Sequence, residues 1–436
     1  MTLDRNINHS LSENMNLWKK ARALFQHIDS NEYCGLDRLG KLIVYLFFNF
    51  LTFEDRKKDE DEKKIDIGKD LSYEDFTELA YRARQIEKES GMNEYEVFSF
   101  IISLRDKVSY NREEALKRGF DVPSNDFFSP VDFEIKENEM IDLISFIWRR
   151  EISNHFTYEE VKLSESILSI SDNDYVYVES GDIPGLFVAV GKDKECDVLF
   201  AINNDYERTL SKMLLFMMVP KTKWNKRKIV KGVTEEDELR NKNTDGLEYP
   251  NKIVSFASNG TRLKDKDHLK SSLDNTFDLL NPLLEKGSKV LFGTTSRFLS
   301  FVKGESKKYR EMIFNLNSSL SVLSTRRYYN YILVDGGKAK EDCVLMLHLD
   351  EADIVFDDIT CSEISSALND EVENSGELKE CIMRIKRDRI ENNDYMLYPP
   401  YFVERKVGEV EEITEIDKKL EIKYRELTML CRKMSK

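Results

Sequence analysis

Four groups of residues have types and spacing that could carry chemistry. Gly181 and Gly185 make a G-x-x-x-G loop behind the strand-like run Tyr175-Val176-Tyr177-Val178. Glycines at a strand end let the backbone approach a cofactor, because bulkier residues resist the dihedrals required. The same spacing also suits an ordinary strand-to-helix turn. Asn203 follows a second apolar run, Asp197 to Ile202, at the kind of strand end where open α/β sheets bind ligands. Ala257-Ser258-Asn259-Gly260 closes a third run, Asn251 to Phe256, and places one amide there. The fourth group is basic: Lys221, Lys223, Lys226, Arg227 and Lys228 surround Trp224, with Lys231 beyond. Cations around an aromatic ring could contact a nucleic-acid backbone. A solvated loop balanced by the acids between Glu235 and Glu238 reads equally well. Cys34, Cys196, Cys343, Cys361, Cys381 and Cys431 are scattered without a C-x-x-C pair, and the five histidines stand alone. No zinc site or disulfide framework is expected. Neither a G-x-x-x-x-G-K-(S/T) loop nor a G-x-G-x-x-G fingerprint occurs.

Alternating elements must position these groups. Residues 1–150 read as helical, with Leu17, Trp18, Ala21, Leu24 and Phe25 at 3/4 spacing, then Leu39, Leu42, Ile43, Leu46, Phe47 and Phe50. A charge run from Glu54 to Lys64 predicts a solvated loop or frayed helix end. Two more helices are expected from about residue 73 to 90 and 93 to 108, and a loop near Pro123 to Pro130. From about Phe156 the pattern becomes α/β. A helix over 157–170 leads to strands at 175–178 and 197–202, a helix at 206–218 and a strand at 251–256. A helix around Phe277 to Leu284 follows, then a strand from Lys289 to Gly293, a helix from Ser306 to Leu316 and strands at Ser321, Tyr331 and Val344. Helical stretches are expected over 361–375 and near 377–390. Such alternation builds an open sheet covered by helices. The last segment, residues 407–436, is charged and helical. Ile413, Ile416, Leu420, Ile422 and Leu427 fit either a docking or coiled-coil helix or an exposed terminal one. The expected domains are 1–150, 151–405 and 406–436.

The 436 residues suffice for two or three domains. No run approaches the roughly 20 apolar residues of a membrane span, and the first residues lack a signal-like apolar core, so a cytoplasmic location without membrane contact is expected. The formal net charge is −15. DNA affinity depends on neutralising phosphates, so strong autonomous DNA binding is not expected. A local basic patch, or a partner that supplies positive surface, could still bring the chain to DNA.

The wording of several elements resembles the adenine-N6 DNA methyltransferase family, to which the modification subunits of type I restriction systems belong. A helix ending at Lys286-Gly287, a strand, a helix and two strands follow the family's order between Phe277 and Val334. Phe200-Ala201-Ile202-Asn203-Asn204-Asp205-Tyr206-Glu207-Arg208-Thr209, with Leu210-Ser211-Lys212-Met213 behind it, is similar to F-G-x-E-x-N-P-E-T-x-x-L-A-K-M. Ile390 to Val403 is similar to the closing segment I-x-x-N-D-(Y/F)-x-L-x-x-x-R-Y-(V/I), and Leu17 to Phe53 to the family's helical amino-terminal domain. The resemblance implies a Rossmann-like class I methyltransferase sheet preceded by a helical N-terminal domain and followed by a helical tail. It also implies a cofactor place for S-adenosylmethionine around Gly181, Gly185 and Asn203.

The family's chemistry is thinned at those positions. Asn203 stands where a Glu would accept from both ribose hydroxyls, and an amide offers one acceptor and no charge. The catalytic tetrad Asn-Pro-Pro-(Phe/Tyr), which holds a flipped adenine, falls on Ala257, Ser258, Asn259 and Gly260. Tyr398-Pro399-Pro400-Tyr401 and Asn281-Pro282-Leu283-Leu284 match it only in part, and both lie out of register. Losing one transition-state hydrogen bond typically costs about 10²–10³ in rate, so no retained catalytic residue and no bound cofactor are expected. The resemblance then implies a catalytically degenerate relative of a modification subunit. Its place would be as a structural or DNA-associated component of a restriction-like defence complex with a protein partner. The alternatives are an active S-adenosylmethionine-dependent adenine-N6 methyltransferase with atypical motifs, or a protein-interaction module without DNA contact.

Overall fold

The computed structural model describes residues 17–24, 36–53, 65, 71–92, 94–118, 135, 139–151, 158–180, 185–233, 235–241, 246–256, 266–301, 304–325, 329–349, 356–369, 378 and 381–402. Among the described residues, a helical stretch at 17–24 is followed by α1 (Arg38–Leu51), α2 (Tyr73–Glu89), α3 (Glu96–Lys117) and α4 (Met140–Glu151). Local chemistry sets their starts. Asp37 accepts from the Gly40 amide at the head of α1, and Ser72 with Asp75 forms a capping box on α2.

The apolar runs then pair into one nine-stranded sheet. After α5 (Tyr158–Leu168) come β1 (Tyr175–Ser180), β2 (Asp197–Ile202), α6 (Asp205–Met218), β3 (Arg227–Val230), β4 (Lys252–Ser255), α7 (Lys266–Glu285) and β5 (Lys289–Thr294). They are followed by α8 (Ser296–Ser300), α9 (Glu305–Asn315), β6 (Ser319–Thr325), β7 (Asn330–Asp335), β8 (Cys343–Leu349), α10 (Asp358–Leu368), β9 (Ile382–Lys386) and α11 (Arg387–Glu391). The strand order is β3-β2-β1-β4-β5-β7-β6-β8-β9. Strands β1 to β5 are mutually parallel, with Val178 beside both Phe200 and Val254. The chain winds outward from β1 to β3, then returns to the other side with β4. In open α/β sheets such a switch marks the ligand-binding crevice, which here would fall at the carboxyl ends of β1 and β4. Strand β7 runs backward between β5 and β6. A doubly wound sheet with β7 reversed at this place is the Rossmann-like sheet of class I methyltransferases.

Both faces are covered, as a parallel sheet requires. On one face α7 and α9 pack through Phe277, whose ring stacks on Phe292 (6.0 Å) and Tyr309 (5.5 Å). The other face is shared by α5, α10 and α6, and the amino-terminal helices lie outside α6. Every residue of α6 from Arg208 to Met218 is buried. A helix buried nearly all round must lie between two layers, and here the layers are the sheet and α1. A single apolar core runs from Leu42 and Phe48 through Leu214 and Met218 to Val178, Phe200 and Leu291.

Chain contacts divide the molecule into two units, Met1–Tyr398 and Pro399–Lys436. The helices before residue 151 and the sheet after it belong to the same unit. In the second unit the described part is the turn Pro399–Tyr401 and Phe402, whose ring meets that of Tyr401 edge-on at 5.3 Å. The charge run at 54–64, the Pro123–Pro130 loop and the terminal helix expected at 407–436 lie outside the described residues.

The fold corrects two expectations. The helix expected near 377–390 is strand β9 over 382–386, antiparallel to β8 with Lys386 beside Cys343, and becomes helix only from Arg387. Ile382-Met383-Arg384-Ile385-Lys386 makes a short, basic edge strand, and its charged side chains protect it from further pairing. The loop expected at 221–228 is a tight turn, Lys221–Lys226, leading into β3, which pairs with Val198–Ala201.

Candidate functional site at the carboxyl edge of the sheet

Strands β1, β2, β4 and β5 deliver their last residues to the crevice. Gly181 lies outside the described residues, as do Ala257, Ser258, Asn259 and Gly260. Gly185 opens a single turn, Gly185–Ala189, whose Phe187 is buried. Asn203 is the first residue after β2 and is exposed. Its amide oxygen sits against the Cα of Gly232, where φ is +56° and an added Cβ would overlap it. Asn204 caps α6, its side-chain oxygen accepting from the amides of Tyr206 (2.9 Å) and Glu207 (3.2 Å). Tyr206 in turn donates its hydroxyl to Asp37 at 2.9 Å. It can do so because residue 40 is glycine: a Cβ there would collide with that hydroxyl. The edge of β2 is thereby tied to the head of α1.

Glu179, near the end of β1, is the residue that motif reading passes over. Its carboxylate accepts from Ser255 Oγ and Thr276 Oγ1, each at 2.7 Å. Burial raises its pKa above the usual glutamate range, and the two hydroxyl donors offset part of that rise. The signal that could have found it is an acid inside an apolar strand two residues before Gly181.

Phe256 follows β4 directly and is 4% exposed. Its ring lies across Gly293 of β5 so closely that a Cβ on that glycine would overlap it. Phe187 meets it edge-on at 4.8 Å and Tyr329 lies 6.3 Å away. Three rings thus fill the space between the end of β4 and the start of β7. Beside them Asn330 is fully buried, accepting from Thr325 N at 3.0 Å and donating to Ser296 Oγ at 3.0 Å.

The basic run divides by burial. Trp224 is 4% and Arg227 1% exposed. The indole donates to Val219 O at 2.9 Å and meets Phe216 edge-on at 5.0 Å. Arg227 donates to the carbonyls of Gly191 (2.6 Å) and Cys196. Both therefore point into the protein rather than toward a nucleic acid. The ring is large and apolar, and the guanidinium satisfies carbonyls that a buried loop leaves open. Lys221 pairs with Glu89 at 2.7 Å, and Lys223 and Lys226 pair with Glu195 at 3.4 and 3.0 Å. Lys228 is exposed on β3. Among the described residues, no three His, Cys, Asp or Glu side chains cluster as a metal site, and no helix is long and apolar enough to cross a membrane.

The strand order, the reversed β7 and the helical layers define a class I methyltransferase fold. No protein-family model matches the sequence, and no curated protein matches it significantly. Similar solved structures include the type IIG restriction endonuclease BpuSI, 12% identical, with a TM-score of 0.45 over 83% of this chain and 44% of that one. The chain thus spans less than half the length of that endonuclease. The type I restriction enzyme EcoKI M protein is 10% identical, with a TM-score of 0.37 over 88% of each chain. A class I S-adenosylmethionine-dependent methyltransferase from Listeria monocytogenes is 12% identical, with a TM-score of 0.36 over 80% of this chain and 98% of that one.

Proposed function

We propose that this chain is a catalytically degenerate homologue of the modification subunit of a type I restriction-modification-like system. It acts as a structural or DNA-associated component of a defence complex. What carries the reading is the end of β2, where Asn203, its amide seated on Gly232, falls at the position for which the family resemblance implies a carboxylate. One neutral acceptor cannot grip two ribose hydroxyls as a carboxylate does. Glu179, the acid that β1 brings near, is engaged inside the fold by Ser255 and Thr276. Among the described residues, neither side chain is free to supply the paired acceptors that the ribose hydroxyls of S-adenosylmethionine need. The net charge of −15 supports contact with DNA through a partner rather than alone.

Calorimetry with S-adenosylmethionine, and label transfer to duplex DNA, test the loss of activity. Neither saturable heat nor transferred label is expected. Saturable binding together with transfer would establish an active adenine-N6 methyltransferase instead. Gel shifts on duplex DNA with and without a co-purified partner test the role. A shift only with the partner is expected, and no shift in either case would leave a protein-interaction module.

A further inference from the structure

A second concavity lies away from the sheet's carboxyl edge. It opens at the other end of α6, between the amino-terminal helices and the turn that leads to β3, and has a volume of about 640 Å³. Helix α6 is 14 residues long, so its two ends are about 20 Å apart. Among the described residues its walls include Phe50, Phe53, Met140, Phe216, Met217 and Trp224. Protein interiors leave few voids larger than a water molecule. A cavity of this size, with apolar walls and a charged rim, falls in the range of small-molecule sites, which favour the boundaries between layers.

The rim decides the ligand's charge. Arg82 pairs with Glu78 at 3.1 Å, Lys221 with Glu89 at 2.7 Å, and Lys192 with Asp193 at 3.0 Å. A charged ligand would have to disrupt one of these pairs, whereas a neutral one leaves them intact. The wall decides its shape. Methionine sulfur contacts aromatic rings favourably and adapts to irregular outlines, and the half-buried ring of Phe50, edge-on to Phe53 at 6.0 Å, offers a surface to a planar guest.

We propose that this cavity is a binding site for a neutral hydrophobic small molecule that carries an aromatic ring. The site is independent of the strand-end crevice and of any methyl-transfer chemistry there. The test uses the full chain and the neutral dye N-phenyl-1-naphthylamine, followed by its own fluorescence and by quenching of tryptophan emission. Saturable binding of one dye per chain is expected. Ile86→Trp, which places a ring inside the cavity, should weaken it at least tenfold, and Tyr110→Ala, outside the cavity, should leave it unchanged. Should Ile86→Trp lose its cooperative melting transition, Gln85→Trp at the exposed mouth reads out the same loss. The anionic dye 1-anilinonaphthalene-8-sulfonate should bind more weakly than the neutral one. Absence of saturable binding, equal affinity in the filled variants, or tighter binding of the anionic dye overturns the proposal.

Discussion

A carboxyl group inside a sheet has to be held there, and two hydroxyls hold Glu179. Because burial raises its pKa above the 4.5 of an ordinary glutamate, the folded state keeps the proton longer than the unfolded chain does. Its contribution to stability is therefore full below about pH 4.5 and declines as pH rises toward the folded pKa. Glu179→Gln removes this titration. Thermal melts of both proteins from pH 4 to 8 should show the variant gaining on the wild type as pH rises, and parallel curves would refute the assignment. Gly293 is tested by volume instead. Gly293→Ala should cost about 1–3 kcal/mol by overpacking against Phe256. Adding Phe256→Leu should recover much of that loss in urea titrations, and strict additivity of the two changes would show that the contact is not the cause. Neither the partners of Glu179 nor the overlap at Gly293 was legible in the sequence. Glu179 looks like part of a motif, and nothing local to Phe256 says that its ring will meet a glycine on the next strand.

Helix α6 shows how one element joins two layers. Arg208 donates through Nε to both oxygens of Glu96 at 2.9 and 3.1 Å, and Lys212 reaches the same carboxylate at 2.7 Å. The Lys212 side chain is 1% exposed and that of Glu96 18%. Burial opposes ionisation of Glu96, but the Arg208 and Lys212 hydrogen bonds outweigh it and hold the pKa below the usual value. This contribution is present above pH 4.5 and fades as pH falls through the folded pKa, opposite in sense to Glu179. Glu96→Ala leaves Arg208 with Asp205 at 2.9 Å and Lys212 with Glu94 at 3.3 Å, both more exposed carboxylates, and should cost about 1–3 kcal/mol. Lys212→Met in the same chain should return part of it, as denaturant midpoints will show. At the other end of the sheet Arg310 donates to the carbonyls of Tyr395 (2.8 Å), Phe301 (2.7 Å) and Phe298. Lysine lacks the forked donor set, so Arg310→Lys should be destabilising by about 1–3 kcal/mol through unsatisfied carbonyls. An unchanged melting temperature would contradict that role. The sequence placed a helix at 206–218, but its ion pairs to residues more than a hundred positions earlier were not readable.

At the scale of the molecule, the amino-terminal helices are part of the fold's interior. They cover a helix whose residues from Arg208 to Met218 are all buried, and the apolar core passes through it without a break. A fragment beginning at residue 156 should therefore expose an apolar face of α6. Its near-UV circular dichroism should be lost while helical far-UV signal persists, and it should bind apolar dyes. A cooperative melt of that fragment with native near-UV signal would show that the sheet stands alone.

Periodicity and composition by themselves determined a helical first part, an α/β second part, the bounds of β2 at Asp197–Ile202 and the location of α6. Those features depend on neighbours a few residues apart, which the sequence displays directly. Only the tertiary structure decided that β7 runs backward beside β5, that 382–386 is a strand, and that Trp224 and Arg227 turn inward. It also joined Glu179 to Ser255 and Thr276, partners 76 and 97 positions away. Strand pairing and side-chain burial are set by chain segments that meet only on folding, and their energies have no local trace in the order of residues.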